Sequence, residues 1–141
     1  MSLNFSSLEL TDKTIVIVED DVPSSRYYET LLLSSGAEVV KFRTGRDFID
    51  FVNTDNRKID LVIMDLLIPL VNGIDCTRML RKTRKNVPVL MITAFSSEQS
   101  KSDAFIAGCT EYILKPVYPE KVYALLEKYL QQEDKQTIYR S

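Results

Sequence analysis

Five short apolar runs recur along this chain at a near-even pitch, and amphipathic stretches of helical length lie between them. The runs are Thr14 to Val18, Ala37 to Phe42, Leu61 to Met64, Val89 to Thr93 and Tyr112 to Leu114. Leu61-Val62-Ile63-Met64 carries no charge and reads as a strand buried on both faces. Arg26 to Leu33 carries Tyr27, Tyr28, Leu31 and Leu32 and stops at Ser34-Ser35-Gly36. Phe48, Ile49, Phe51 and Val52 mark a second helix, opened by Thr44 or Gly45. Ile74 to Arg84 is a third, with Ile74, Met79 and Leu80 inward and Arg78, Arg81 and Lys82 outward. Ser97 to Ala107, closed by Gly108, is a fourth. Pro119 to Leu130 is a fifth, with proline in its first turn and Val122, Leu125, Leu126 and Tyr129 at helical spacing. Strict alternation of strand and helix predicts an α/β fold with a five-stranded parallel sheet and right-handed crossovers. A small doubly wound sheet of this kind binds ligands outside the carboxyl ends of its strands.

The 141 residues suffice for one domain with a real core. Residues 1–13 read as a polar lead-in or linker, 14–130 as the domain, and 131–141 as a fraying tail or the start of a linker. A net charge of -2 offers no overall basic footprint for nucleic acid, and none is expected to bind directly. No apolar run approaches the roughly 20 residues of a membrane span, so membrane insertion is not expected. No secretory signal is visible, and the expected location is cytoplasmic. Cys76 and Cys109, far apart and without CxxC spacing, read as reduced packing thiols. The chain has no histidine, which excludes a Ser-His-Asp triad, a histidine general base and most zinc sites.

Polar groups stand at four of the strand ends. They are Glu19-Asp20-Asp21 after the first strand, Asp65 after the third, Thr93-Ala94 at the fourth and Lys115-Pro116 after the fifth. Carboxylates converging on one crevice repel each other and hold either a proton or a cation. A hard ion such as Mg2+ suits one or two carboxylates with phosphate oxygens and water. A carboxylate can also act as a nucleophile and form an acyl phosphate, with catalysis supplied mostly by positioning and charge neutralisation. In that chemistry Asp65 attacks, Glu19 and Asp20 hold Mg2+, Lys115 pairs the new phosphate and Thr93 hydrogen-bonds it.

The ordered set resembles the receiver domain of two-component response regulators and hybrid sensor histidine kinases. The residues that carry the resemblance are the acid pair after Ile15-Val16-Ile17-Val18, the segment Asp65-x-x-x-Pro69-x-x-Asn72-Gly73, Thr93-Ala94 and Tyr112-x-x-Lys115-Pro116. It covers about Thr14 to Leu130. Each motif is weak alone; the ordered set is highly specific. The resemblance implies a flavodoxin-like three-layer sandwich with strand order 2-1-3-4-5. It implies Asp65 as phosphoacceptor, Asp20 as a direct Mg2+ ligand, Glu19 acting through water, and the Leu67 backbone carbonyl as a further ligand. It implies Thr93 and Tyr112 as a switch pair, and Lys115 as the family's lysine with a cis bond to Pro116. Ile68 stands where the family usually has methionine, and an apolar exchange there is tolerable. Asp21 is a spare acid facing solvent.

Phosphorylation adds roughly -1.5 to -2 charge and three acceptor oxygens. By resemblance, Thr93 then moves toward the phosphoryl group, Tyr112 follows inward, and the face of the fourth helix, fifth strand and fifth helix changes shape. The expected partners are a histidine kinase or a histidine phosphotransfer protein, docking near Val22, Pro23 and Tyr27 or Tyr28, and a phosphorylation-dependent dimer. The resemblance implies that Leu67 and Phe95 border the route of water to the phosphoryl group; both are large and apolar, so slow self-dephosphorylation is expected. The chain is read as a signalling domain that catalyses its own phosphorylation and slow dephosphorylation, not as an enzyme acting on an outside substrate. Arg81-Lys82-Thr83-Arg84-Lys85 reads as a solvated basic face. A haloacid-dehalogenase-type phosphatase needs an acid where Leu67 stands. A nucleotide-binding module needs a glycine-rich phosphate loop, and the chain has four glycines. Two alternatives stay open: a receiver from the end of a hybrid kinase, and a receiver-like interaction domain that never takes phosphate.

Overall fold

Buried runs of β-branched and aliphatic residues form the strands, and capped amphipathic segments form the helices between them. The computed structural model describes residues 8–95 and 97–131. Its elements are β1 (Thr14–Val18), α1 (Val22–Leu32), β2 (Glu38–Phe42), α2 (Gly45–Thr54), β3 (Leu61–Met64), α3 (Gly73–Thr83), β4 (Val89–Thr93), α4 (Glu98–Ala107), β5 (Glu111–Leu114) and α5 (Pro119–Leu130). The strands pair in parallel, in the order β2-β1-β3-β4-β5. This is the flavodoxin-like, doubly wound arrangement. Residues 1–7 of the lead-in and 132–141 of the tail lie outside the described residues.

Strand side chains alternate between two cores. Ile15, Ile17, Leu61, Ile63, Leu90 and Ile92 point to one face, where Tyr28 and Leu32 of α1 and Val122, Leu125 and Leu126 of α5 cover them. Val16, Val18, Val62, Met64, Val89 and Met91 point to the other, beneath Phe48 of α2, Leu80 of α3 and Ala104 of α4. Each fully buried aliphatic side chain contributes roughly 1.5–3 kcal/mol. The three central strands therefore dominate the stability, and β2, half exposed at its edge, adds less.

Four helices start at a side-chain cap. Asp21, Thr44, Asn72 and Ser97 accept the amide N–H of Ser24, Asp47, Asp75 and Ser100. Such caps contribute about 1 kcal/mol each. The Asp21 cap, with Pro23 just inside, begins α1 at Val22 and not at Arg26. Ala37 falls just outside β2, and β5 gains Glu111. Leu8 and Leu10, in the segment read as polar, are buried in the core beside α1, and the Leu10 N–H donates to Ser35 O at 2.8 Å. Both cysteines are buried and unpaired.

The basic stretch on α3 departs from the expected solvated face. Arg78, Lys82 and Lys85 are exposed, but Arg81 and Arg84 are half buried. Arg81 donates from Nε and Nη2 to Gly108 O at 3.0 and 2.7 Å. Gly108, at φ +112, ends α4 in the left-handed region, and a Cβ there would meet the Arg81 side chain at 2.9 Å. Arg84 donates to the carbonyls of Asp55 and Arg57. A charged guanidinium lowers its free energy by turning onto unpaired carbonyls, and periodicity cannot distinguish that from solvation.

Candidate functional site: an acidic crevice bridged by one lysine

Asp65 follows β3 directly, and its N–H continues the ladder by donating to Val18 O at 3.0 Å. Its carboxylate is therefore delivered to the carboxyl edge of the sheet while remaining 8% exposed. Beneath it α3 begins at Gly73, where a Cβ would stand 2.3 Å from the Asp65 carbonyl oxygen. Glu19 is placed the same way after β1, with its N–H on Phe42 O at 3.0 Å. Lys115 follows β5, with its N–H on Thr93 O at 2.9 Å, and the Lys115–Pro116 peptide is cis.

The Lys115 ammonium joins the two acids. It donates to Glu19 Oε1 at 2.6 Å and to Asp65 Oδ2 at 2.9 Å. The other oxygens accept backbone N–H groups, Asp21 to Glu19 Oε2 and Leu67 to Asp65 Oδ1, both at 3.2 Å. Burial pushes the Glu19 carboxyl up to about 7; the Lys115 bond opposes that rise and the charge of Asp65 adds to it. Burial pulls the Lys115 ammonium down, but its bonds to Glu19 and Asp65 outweigh this and leave it above its ordinary value. Asp20 is half buried beside them and has no protein partner among the described residues. Three acids against one ammonium leave the crevice short of positive charge.

That deficit tests whether the donor set fits a cation. Among the described residues no three acids already close on one point, because Lys115 stands between Glu19 and Asp65. The groups themselves are hard oxygen donors, as Mg2+ requires. The Leu67 carbonyl accepts no hydrogen bond among the described residues, so it too is available. The set fits a hard divalent ion in chemistry and charge, with Lys115 supplying the positive charge in the arrangement seen.

Thr93 and Tyr112 meet through a main-chain group that side-chain patterns do not reveal. Thr93 is buried, and its Oγ1 accepts the Phe95 N–H at 3.2 Å. Tyr112, half buried on β5, donates its hydroxyl to the Phe95 carbonyl at 2.9 Å. Asp21, exposed as expected, is the α1 cap and not a member of the crevice; its bonds to Ser24 hold its carboxyl below the usual range.

Around the crevice Val22, Leu67, Leu70, Phe95 and Tyr118 are exposed apolar side chains on the strand-end loops or at the start of α1. Leu70 has φ +74, a left-handed conformation that costs a leucine about 1 kcal/mol. Beside Lys115 lies a largely apolar groove of about 560 Å3, lined among others by Pro23, Tyr27, Val117 and Tyr118. The Tyr27 hydroxyl donates to Val117 O at 2.7 Å, whereas Tyr28 belongs mainly to the core. Tyr118 carried no signal in the sequence, because it follows the last motif.

Comparison with known proteins agrees with this geometry. The family described as response regulator receiver domain matches residues 15–127. The transcriptional regulatory protein YrkP of Bacillus subtilis is 34% identical over 126 residues, which is 89% of this chain and 52% of YrkP. The chain thus spans about half the length of that relative. The polar-differentiation response regulator DivK of Brucella ovis is 28% identical over 84% of this chain and 96% of its own. A CheY-like receiver domain from Methanospirillum hungatei superposes with a TM-score of 0.80 at 25% identity, covering 88% of this chain and 98% of that one. With nearly the whole sheet and every strand end inside the matched span, this chain belongs to the response regulator receiver domain family.

Proposed function

We propose that the chain accepts a phosphoryl group on Asp65 from a histidine kinase or a histidine phosphotransfer protein. The observation that carries this reading is the single ammonium of Lys115 held between Glu19 and Asp65. An Asp65 oxygen forms the new O–P bond as the N–P bond of a phosphohistidine breaks, and the imidazole leaves after taking up a proton. Glu19 (through water), Asp20, Asp65 and the Leu67 carbonyl are the groups that would hold Mg2+. Bound there, Mg2+ would neutralise the oxygens of the transferring group. Lys115 remains beside Asp65 and pairs the new charge. The Thr93 hydroxyl turns to donate to a phosphoryl oxygen and its oxygen leaves the Phe95 N–H, which frees Phe95 and lets Tyr112 move inward. The surface of α4, β5 and α5 is the element biased by that exchange, including toward a phosphorylation-dependent dimer.

The exposed apolar loops and the groove at Pro23, Tyr27 and Tyr118 suit a protein donor with an apolar face. No described helix is long and apolar enough to cross a membrane, and we place the domain in the cytoplasm, where its donors work. Intact mass after incubation with phosphoramidate and Mg2+, and separately with a phosphorylated histidine kinase, tests the reading. One phosphoryl adduct that requires Mg2+ and disappears in Asp65→Ala is the expected result. No adduct from either donor would leave a receiver-like interaction domain instead.

A further inference from the structure

At the amino ends of β1, β3 and β4, opposite the acidic crevice, the loops enclose an open groove of about 630 Å3. Its lining includes Lys13, Lys58, Arg84, Lys85 and Asn86, and one acid, Asp60. Asp60 is already engaged: Oδ2 accepts the Thr14 N–H at 2.8 Å, and Oδ1 lies 3.4 Å from Lys58 Nζ. Among the described residues, Lys13, Arg84 and Lys85 have no carboxylate within ion-pair distance. Positive charge is therefore concentrated here on a chain whose net charge is -2.

Arg84 is the fixed point of the groove. Its Nη1 donates to Arg57 O at 2.5 Å and its Nη2 to Asp55 O at 2.8 Å. These bonds hold the guanidinium in place, but their acceptors are neutral carbonyls and do not cancel its charge. A guanidinium has five N–H donors, so three are left for a ligand. A half-buried, pre-positioned arginine without a counter-ion is the arrangement that recognises phosphate oxygens.

We propose that this groove binds a small polyphosphate anion. Its cations come from three separate segments, before β1, between α2 and β3, and between α3 and β4. One isolated charge cannot meet all three, whereas linked phosphates can. A recess of this size also lies within the range of small-ligand sites, roughly 300–1,000 Å3. An excess of positive charge around a recess, four cations against the one acid Asp60, focuses its field and raises the local concentration of such anions.

The test titrates the isotope-labelled full chain with pyrophosphate, and separately with ATP, at low salt without Mg2+, following amide shifts. Saturable shifts at Lys58, Ile59, Lys85 and Asn86, with none at Asp65 or Lys115, are expected. The double exchange Lys13→Gln with Lys85→Gln, at exposed or half-exposed positions that spare the core, should weaken binding roughly tenfold. Asp65→Ala should bind as the parent does, which separates this groove from the crevice. Equal affinities for the two probes mean that the phosphates alone are read; tighter ATP binding means that the nucleoside is also held. Shifts that stay linear to about 10 mM, or that sulfate reproduces at matched ionic strength, would overturn the proposal.

Discussion

Glu19 ties the pH behaviour of the fold to the crevice. Its folded value, about 7, lies above the ordinary 4.5. Below pH 4.5 the carboxyl is protonated in both folded and unfolded chains and costs nothing. As pH rises from there to about 7, the unfolded chain gives up its proton first, so stability falls. Above that window the loss is complete, on the order of 3 kcal/mol. Urea unfolding in EDTA should therefore show a midpoint that drops between pH 5 and pH 8, and Glu19→Gln should flatten the drop. An unchanged slope in the variant would assign the titration to another group. Phe95 matters at the same scale for two separate reasons. Its ring and Leu67 are exposed on the strand-end loops, and if they flank the phosphoryl group as proposed, these apolar groups give an attacking water no hydrogen-bond partner. A phosphoryl lifetime well beyond seconds is expected by radiolabel loss, and Leu67→Asn with Phe95→Asn should shorten it about tenfold. A lifetime of only seconds in the parent chain would remove the shielding argument. The peptide group of the same residue links Thr93 to Tyr112, and that link does not depend on the ring. Every side chain but proline preserves it, so water access at this position can change while the link persists.

Between elements, the join of α3 to the end of α4 rests on Arg81. Its guanidinium bonds the carbonyls of Gly108 and Arg84, and charged hydrogen bonds of this kind contribute roughly 1.5–3 kcal/mol. Arg81→Ala should lower unfolding stability by about 2 kcal/mol and speed hydrogen exchange in the last turn of α4 ahead of the sheet. Equal protection in the variant would mean that α4 is held by its buried alanines alone. This bond also marks where sequence reading stops. The strand cores, the cap at Thr44, the glycine stop of α4 and the strand-end positions of Asp65 and Lys115 all rest on local pattern, and local pattern shows them. Arg81 meets a carbonyl 27 residues away, and an arginine on an amphipathic helix looks the same whether it is solvated or turned inward. The earlier start of α1 was legible in Asp21 and Pro23, but the tyrosine-leucine periodicity drew the boundary to Arg26. Leu8 and Leu10 were hidden by polar neighbours. The Phe95 link left no trace because main-chain bonds have no side-chain signature.

Across the whole molecule, the sheet separates two ends of opposite character. Acids gather where the strands finish, and where they begin lie cations of which Lys13, Arg84 and Lys85 have no carboxylate partner among the described residues. The central strands are four or five residues long, about 15 Å at the usual rise. At physiological ionic strength the screening length is about 8 Å. That length applies in the salt water around the protein; the apolar layer between the two ends admits no ions and screens far less. The field between the ends therefore runs chiefly through the core, where distance weakens it and added salt changes it little. Negative charge arriving at either end reaches the other by that path without any strand or helix having to move.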